Sequence, residues 1–186
     1  MMKKLMLQDT KENQPENGSH TVRLKFQKAR QFLNPVNGVI QLGFSRNKNK
    51  GTAVGRAMSF TLHSAMEGIY PDIIVNPAKA RLSVGTKGPL LNVKVERSTE
   101  SIRMSWDSIG YSGNGNCAAD DRVLLCAYAV EQELAVINEE QVWRSAGQMD
   151  LQLPHGMQQM PVHLYLVVYD RNKRNCSDSQ YLGFLN

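Results

Sequence analysis

The hydrophobic pattern of this 186-residue chain changes its period once, near Pro71, and the change divides the chain into two kinds of structure. Before Pro71, apolar residues recur every three or four positions, which is the spacing of an amphipathic helix. After it, they alternate with polar residues, which is the spacing of a strand that buries one face. The sequence therefore predicts a helical region over residues 21–70 and a β-domain over residues 71–186. Residues 1–20 are predicted to be a disordered lead-in, because most of them are polar.

Two or three short helices are expected in the helical region. Residues 21–33 carry apolar side chains at helical spacing, with lysines and arginines between them. The pair Asn34-Pro35 should end this helix, because the residue before a proline is steered away from the helical conformation. A second short helix is predicted at residues 36–44 and a third at residues 53–66, which Gly68 should stop at its C-terminal end.

Short strands separated by turn residues are predicted for the rest of the chain. Val123–Val130 is almost continuously apolar, which is typical of a central strand covered on both faces. Trp106 is in phase with the apolar residues of its strand, so it is predicted to lie in the core. The other predicted strands cover residues 72–75, 79–84, 91–95, 102–106, 134–137, 149–153, 162–169 and 180–185.

Seven of these strands fall in roughly the last hundred residues, and this pattern indicates an all-β sandwich. The tryptophan at the end of the second strand and the aromatic-rich penultimate strand, VHLYLVVYD, resemble a fibronectin type III or immunoglobulin-like domain. The expected fold class is therefore mainly β, α+β overall: an immunoglobulin/fibronectin III-like antiparallel β-sandwich preceded by two or three short helices. Such a resemblance predicts architecture and not function.

The glycine-rich stretch GYSGNGNCAADDRVLLC at residues 110–126 looks like a ligand loop, but its details favour a connection between two strands. A phosphate loop needs a lysine after its last glycine and then a helix, whereas a strand is predicted here. A calcium loop needs alternating oxygen ligands and a distal glutamate, whereas Asp120 and Asp121 are adjacent and the next glutamate is Glu131. No metal-binding or cofactor-binding residue is therefore predicted.

No set of catalytic residues can be assembled from the sequence. None of the four histidines lies in a nucleophile motif such as G-x-S-x-G. His163 shares a strand face with tyrosines and is expected to be partly buried. The acid pairs Asp120/Asp121 and Glu139/Glu140 are expected to lie in solvated turns. The chain is therefore predicted not to be an enzyme.

Positive charge is concentrated at the N-terminal end. Residues 1–56 contain eleven lysines and arginines against three acids, while the whole chain has a net charge of +5. Such a region has the chemistry to bind nucleic acid. Val22, Phe26 and Leu33, however, share one helix face, which is predicted to pack on the sandwich. Trp143 is flanked by charge, so it is predicted to be an exposed contact residue. The candidate contacts with a partner or a nucleic acid are Lys25, Lys28, Arg30, Arg46, Lys48, Lys50, Arg56 and Trp143.

The three cysteines, Cys117, Cys126 and Cys176, are an odd number without zinc-binding spacing, which indicates reduced thiols. In the predicted sandwich, the loop before the third strand and the loop before the last strand meet at one end. Cys117 and Cys176 are therefore predicted to approach one another, within reach of a disulfide if the compartment is oxidising.

Two stretches of the chain, FQKARQFLNPVNGVIQLGFSR and AVGRAMSFTLHSAMEGIYPDIIVNPAKARLSVG, are followed by the strands DRVLLCAYAVEQELAVI and VHLYLVVYD. This succession is similar to an uncharacterised family of Bacteroidetes proteins, a domain of unknown function, over roughly residues 23–186. Residues 1–20 depart from the glycine-rich, tryptophan-containing segment that usually precedes the first helix in that family. The resemblance implies no known enzymatic activity.

A non-enzymatic binding or structural module with an unknown protein partner is the expected function. Two alternatives stay open: nucleic-acid binding through the basic N-terminal region, and a hydrolase with an unrecognised site. No stretch approaches the ~20 apolar residues that span a bilayer. The start of the chain also lacks the apolar run of a signal peptide, so a cytoplasmic protein is expected.

Overall fold

Three helices form the N-terminal part of the protein in the computed structural model, which describes residues 16–45, 51–108 and 116–186. α1 begins at Glu16 rather than at the predicted Thr21, because extending a helix costs far less than starting one. It ends just before Asn34-Pro35, as predicted. The helices are α1 (Glu16–Leu33), α2 (Asn37–Gly43) and α3 (Ala53–Ser64).

The third helix is shorter than predicted, and Gly68 does not stop it. α3 ends at Ser64, and Met66–Glu67 leaves the helix as strand β1, which pairs with β2 at Ile74–Val75. Gly68 lies in the turn between these two strands with a φ of +88°. A side chain at this position would collide with the Asp72 carbonyl, so the turn requires glycine.

The described residues contain ten strands, so the chain is α+β and mainly β, as predicted. The bounds beyond the first hairpin are β3 (Lys94–Arg97), β4 (Ser101–Ser105), β5 (Arg122–Ala129), β6 (Leu134–Ile137), β7 (Val142–Trp143), β8 (Gln148–Gln152), β9 (Val162–Tyr169) and β10 (Gln180–Leu185). All strand pairs are antiparallel. A large sheet has the order β10-β9-β5-β6, with β7 also paired to β5, and a small sheet has the order β3-β4-β8.

The predicted strand at residues 79–84 is wrong, although its residues alternate between apolar and polar. The Leu82 amide donates to the Ser179 hydroxyl at 2.9 Å, and the Val84 amide donates to the Gly43 carbonyl at 3.1 Å. The segment therefore bonds to the end of α2 and to the loop before β10 instead of joining a sheet. Strand β7 was not predicted, because two residues are too few to show a period.

β5 lies at the centre of the structure, between β9 and the β6–β7 edge. It is buried along Val123–Ala129, as predicted for a strand covered on both faces. Cys126 and Tyr128 belong to the core that the large sheet shares with the helices. Leu125 and Ala127 belong to the core that it shares with the small sheet. Helices, large sheet and small sheet therefore form three layers.

The buried residues of α1 lie in its last two turns. Ala29, Phe32 and Leu33 are buried, whereas Val22 and Phe26 are 55% and 51% exposed. The prediction that this whole face packs on the β-domain is therefore wrong for Val22 and Phe26, because periodicity cannot reveal where a helix extends beyond its partner. No helix in the described ranges is long and apolar enough to cross a membrane.

Candidate functional site

A cleft of about 970 Å³ runs along one side of the two larger sheets, which we name the open side. It lies between the edge of the large sheet, made by β6 and β7, and the edge of the small sheet, made by β8. Val136, Met149 and Leu151 give it an apolar floor: Met149 and Leu151 belong to the core between the sheets, and partly buried Val136 packs against that core. Glu139 and Glu140, both exposed, line it from the segment between β6 and β7.

Asn138 creates the wall of this cleft by replacing a piece of strand with its side chain. Its Oδ1 accepts a hydrogen bond from the Leu125 amide at 2.8 Å, and its Nδ2 donates to the Val123 carbonyl at 3.2 Å. These are main-chain groups of β5 that a continuous edge strand would otherwise pair. The same Nδ2 donates to the Glu140 carbonyl at 2.8 Å. The main chain at residues 139–141 can therefore leave the sheet without exposing unpaired groups of β5.

A buried arginine fixes the point where the chain crosses from the large sheet to the small one. Arg144 directly follows β7, is 1% exposed, and donates to the carbonyls of Gly88 and of Pro89, the latter at 3.2 Å. Its own carbonyl accepts a hydrogen bond from Trp106 Nε1 at 2.7 Å. Gly147, with a φ of +72°, then turns the chain into β8. The position of β8 relative to β7 is thus set by groups inside the protein.

Asp121 is the buried counter-charge at this crossing. Its Oδ1 lies 2.7 Å from Lys87 Nζ, its Oδ2 lies 3.7 Å from Arg144 Nε, and Oδ2 also accepts from the Ala118 amide at 2.9 Å. The prediction of a solvated turn holds for exposed Asp120 but is wrong for Asp121, which is 1% exposed. A carboxylate can be buried here because cations and an amide replace the water that it loses.

The cleft is acidic. Its lining contains three acids and no lysine, arginine or histidine. Asp150 pairs with Arg103 at 2.9 Å. Glu139 and Glu140 form no ion pair with another residue in the described ranges. The wall opposite β8 therefore carries negative charge that nothing in the described part of the chain offsets.

Trp143 lies at the rim of the cleft and is 51% exposed, as predicted. The Arg122 guanidinium lies over its ring, 4.8 Å from the centroid, which favours one orientation of the indole while leaving much of it in water. Trp106, by contrast, is buried between the sheets, as predicted. The two tryptophans therefore differ in role: Trp106 fills the core and Trp143 is available for contact.

The basic residues predicted as contacts lie on α1 and α3 in the part of the chain that is described. On α1, Lys25 and Lys28 are partly buried and Arg30 is exposed. At about 3.6 residues per turn, Arg30 lies on the opposite side of the helix from Lys28. Arg56 of α3 donates to two main-chain carbonyls. The remaining three candidates lie outside the described residues: Arg46, Lys48 and Lys50.

The histidines are not gathered into a catalytic group in the described ranges. His163 is partly buried, as predicted, with Nδ1 2.9 Å from the Tyr181 hydroxyl and its ring 4.7 Å from that of Phe184. This burial lowers the pKa of His163. A small cavity of about 170 Å³ includes His163 and Glu131, while His155 is exposed in a turn. Among the described residues, no three potential metal ligands cluster.

All three cysteines are free thiols, so the pair Cys117 and Cys176 forms no disulfide in this structure. The two loops that carry them do lie at the same end of the large sheet. Another segment lies between them: the Lys87 amide donates to the Cys176 carbonyl at 2.9 Å, and the Gly88 amide donates to the Asn116 carbonyl at 3.1 Å. The topology was therefore predictable, whereas the intervening segment was not.

Comparison with known proteins identifies a family but no activity. The model of a family of unknown function, DUF6266, matches residues 5–183, which is nearly the whole chain. No curated protein matches the sequence. The resemblance to a domain of unknown function is therefore confirmed, while the Bacteroidetes origin stays a prediction.

Proposed function

Because the chain belongs to the family of unknown function DUF6266, whose description names no activity, we propose from the structure that it is a non-enzymatic module that binds a polypeptide. The binding site is the cleft on the open side, between the β6–β7 edge and β8. The observation that carries this proposal is the combination of an apolar floor, an acidic wall and a half-exposed tryptophan beside a strand, β8, that pairs only with β4 among the described residues.

The finer fold assignment is part of the same proposal: β3 to β10 form an immunoglobulin/fibronectin III-like sandwich. The order β3-β4-β8 in one sheet and β10-β9-β5 in the other supports it. These strands follow the order of A, B, E and of G, F, C in an immunoglobulin-like domain. Modules of this kind present strand edges and end loops to their partners, which agrees with a binding site at an edge.

The chemistry of the cleft suits a polypeptide. Protein interfaces combine an apolar centre with a polar rim, and tryptophan is enriched among the residues that contribute most of the binding energy. Val136, Met149 and Leu151 would receive apolar side chains, while Trp143 would cover them from the rim. A module that holds its partner in this way needs no catalytic group in the cleft.

Peptide selection against the purified protein tests the proposal. A phage-displayed pool of random twelve-residue peptides is enriched on the wild-type protein, and the enriched peptides are synthesised. Their affinities are then measured against Trp143→Ala and Phe184→Ala. Phe184 is the matched control, because it is equally exposed at 51% but lies on β10, at the other edge of the large sheet.

We expect Trp143→Ala to weaken binding at least tenfold, about 1.4 kcal/mol, and Phe184→Ala to change it by less than about twofold. A failure to enrich any peptide, or equal affinities for wild type and Trp143→Ala, would contradict the proposal. Retention on DNA or RNA that disappears between low and moderate salt would instead favour nucleic-acid binding through the basic N-terminal region.

A further inference from the structure

We propose that the polypeptide bound in the cleft is an extended segment with alternating apolar and basic side chains, and that it adds to β8 as a further antiparallel strand. This inference rests on the proposed function, because it names the partner of the same cleft. It follows from the direction of the main-chain groups of β8, from the charge of the cleft, and from the condition of the other sheet edges.

The main-chain groups of β8 alternate between its partner strand and the cleft. The Gly147 carbonyl accepts from the Trp106 amide at 2.9 Å, and the Leu153 amide donates to the Glu100 carbonyl at 2.8 Å. These two bonds flank β8 at both ends and fix which residues face β4, because hydrogen-bonded residues alternate along an antiparallel ladder. The N–H and C=O groups of the odd-numbered residues of β8 therefore point towards β4. The N–H and C=O groups of Gln148, Asp150 and Gln152 therefore point away from β4, towards the cleft.

This alternation also dictates the side chains of an added strand. A ligand residue opposite Asp150 would exchange hydrogen bonds with it and place its own side chain on the outer face of the small sheet, as Asp150 does. Ligand residues opposite Met149 and Leu151 would point inward, because those two side chains are buried. The register therefore asks for a basic residue opposite Asp150 and for apolar residues on either side of it.

Charge favours the same ligand. The cleft is lined by Glu139, Glu140 and Asp150 without any cationic residue, so lysine or arginine would be attracted and acidic peptides repelled. Asp150 already shares its charge with Arg103, an exposed contact in which a ligand lysine could take part.

β8 is the longest sheet edge without a register shift among those described. The edge of the large sheet on this side is interrupted between β6 and β7, where the Asn138 side chain replaces the main chain. At β10 the register shifts between Tyr181 and Gly183, which bends that edge. β8, in contrast, pairs with β4 without a shift over all five residues from Gln148 to Gln152. An unbroken edge is the template that strand addition requires.

A seven-residue probe tests this inference: the acetylated, amidated and fluorescein-labelled peptide Lys-Val-Lys-Val-Lys-Val-Lys, followed by fluorescence anisotropy with the full chain. We expect binding that weakens with salt and that falls at least tenfold when every lysine is replaced by glutamate. Methylation of the lysine main-chain nitrogens should also weaken binding at least tenfold, because those N–H groups pair with β8. Methylation of the valine nitrogens should change it by less than about threefold.

A matched pair of protein variants tests the main-chain groups of β8 that form the same hydrogen bonds. Gln152→Pro removes one N–H that faces the cleft without changing the charge, and proline is tolerated at an edge where its nitrogen faces away from the ladder. We expect it to weaken probe binding about tenfold, while Gln152→Ala changes it by less than about twofold. The methylated peptides leave the protein untouched, so the test does not depend on the folding of Gln152→Pro.

The outcomes separate this inference from the proposed function. If Trp143→Ala weakens probe binding but the methylation pattern and Gln152→Pro do not, the cleft binds polypeptide without strand addition, and this inference is overturned alone. If the probe fails to bind while selected peptides bind through Trp143, the basic alternating ligand is overturned. If neither binds, the proposed function falls as well.

Discussion

The two sides of the paired sheets differ in how their edges are joined. On the closed side, which we define by β3 and β10, Gln180 exchanges hydrogen bonds with the main chain of Leu90 at 2.8 and 3.0 Å. Arg97 donates to the Leu185 carbonyl at 3.0 Å. On the open side, no hydrogen bond between described residues joins β6 or β7 to β8.

This difference shows which sheet edges are bridged by side chains of the described residues and which are not. Unpaired strand edges promote association, and proteins cover, bend or charge the edges that should stay alone. The closed side has both a bend at β10, where Gly183 has a φ of +119°, and side chains that bridge the sheets. The open side has an acidic cleft and the regular edge strand β8, which pairs only with β4 among the described residues, and the binding site is proposed there.

The largest change should follow loss of the buried charge that fixes the open side. Asp121→Asn leaves Lys87 and Arg144 buried without their counter-charge, so we expect the free energy of unfolding to fall by about 3–5 kcal/mol. Urea denaturation measures this as a lower midpoint with an unchanged slope. Asp120→Asn is the control. Asp120 forms an exposed ion pair with Arg171 at 3.6 Å, so this substitution should cost less than about 1 kcal/mol. Equal losses would show that Asp121 does not anchor the crossing.

The next effect should come from opening the closed side. Arg97 donates to the carbonyls of Leu185, Gln158 and Met160 at 3.0, 3.0 and 2.7 Å. Arg97→Ala leaves these partly buried acceptors without a charged donor, so we expect a loss of about 2–3 kcal/mol in the free energy of unfolding. Arg103→Ala, on the neighbouring strand, removes an exposed pair and should cost under about 1 kcal/mol. A smaller loss from Arg97→Ala than from its control would contradict the bridging role.

A smaller loss is expected from the residue that interrupts the edge of the large sheet. Asn138→Ala removes the partners of the Leu125 amide and the Val123 carbonyl, so the free energy of unfolding should fall by about 1–2 kcal/mol. Slower amide exchange at Leu125 in wild type than in the variant would locate the effect. Gln141→Ala, in the same segment but exposed, should change stability by less than about 0.5 kcal/mol. Unchanged exchange at Leu125 would argue against the role given to Asn138.

A pH dependence is expected from the large sheet near the closed side, at His163. Its pKa is lowered in the folded state, so the unfolded chain binds more protons as pH falls. The stabilisation is complete above the ordinary histidine pKa of about 6.5 and is lost as pH falls below it. His163→Gln should reduce the difference between urea midpoints at pH 7.5 and pH 5.5. His155→Gln, at an exposed turn, should retain the wild-type difference. If His163→Gln retains it instead, the pH dependence does not come from His163.

The smallest change in stability is expected from the exposed acids of the cleft. The double variant Glu139→Gln with Glu140→Gln should alter the free energy of unfolding by less than about 0.5 kcal/mol. It should nevertheless weaken binding of the lysine–valine probe severalfold and reduce its salt dependence. Glu131→Gln, an exposed acid outside the cleft, should leave both unchanged. Unaltered salt dependence in the double variant would remove these acids from the site.

The acid pairs show how much of the site was predictable. Asp120/Asp121 and Glu139/Glu140 look alike in the sequence, since each is a pair of adjacent acids next to a strand. One member of the first pair is buried against Lys87 and Arg144, while both members of the second are exposed. Whether each acid is buried depends on residues far apart in the chain, which no local sequence pattern relates. Trp143 was predictable as an exposed aromatic, but the acidic wall beside it was not.

Local physical chemistry determined the elements that the sequence alone could reveal. The break at Asn34-Pro35 and the apolar run of β5 predicted where α1 ends and which strand is central. The change of period at Pro71 separated the helical part from most of the strands, although β1 at Met66–Glu67 precedes it. These features depend on neighbouring residues, so they can be read along the chain. The segment at residues 79–84 has the same alternation yet forms no strand, because its partners are supplied by other elements.

Tertiary structure alone decided which edges are closed and which is open. Gln180 reaches Leu90, and Arg97 reaches Leu185, only because two distant segments meet on one side of the sheets. The cleft on the other side exists because Asn138 releases the chain from β5 and Arg144 fixes where it enters the small sheet. Secondary structure follows from local spacing, whereas a binding edge is defined by which main-chain groups the rest of the fold leaves unpaired.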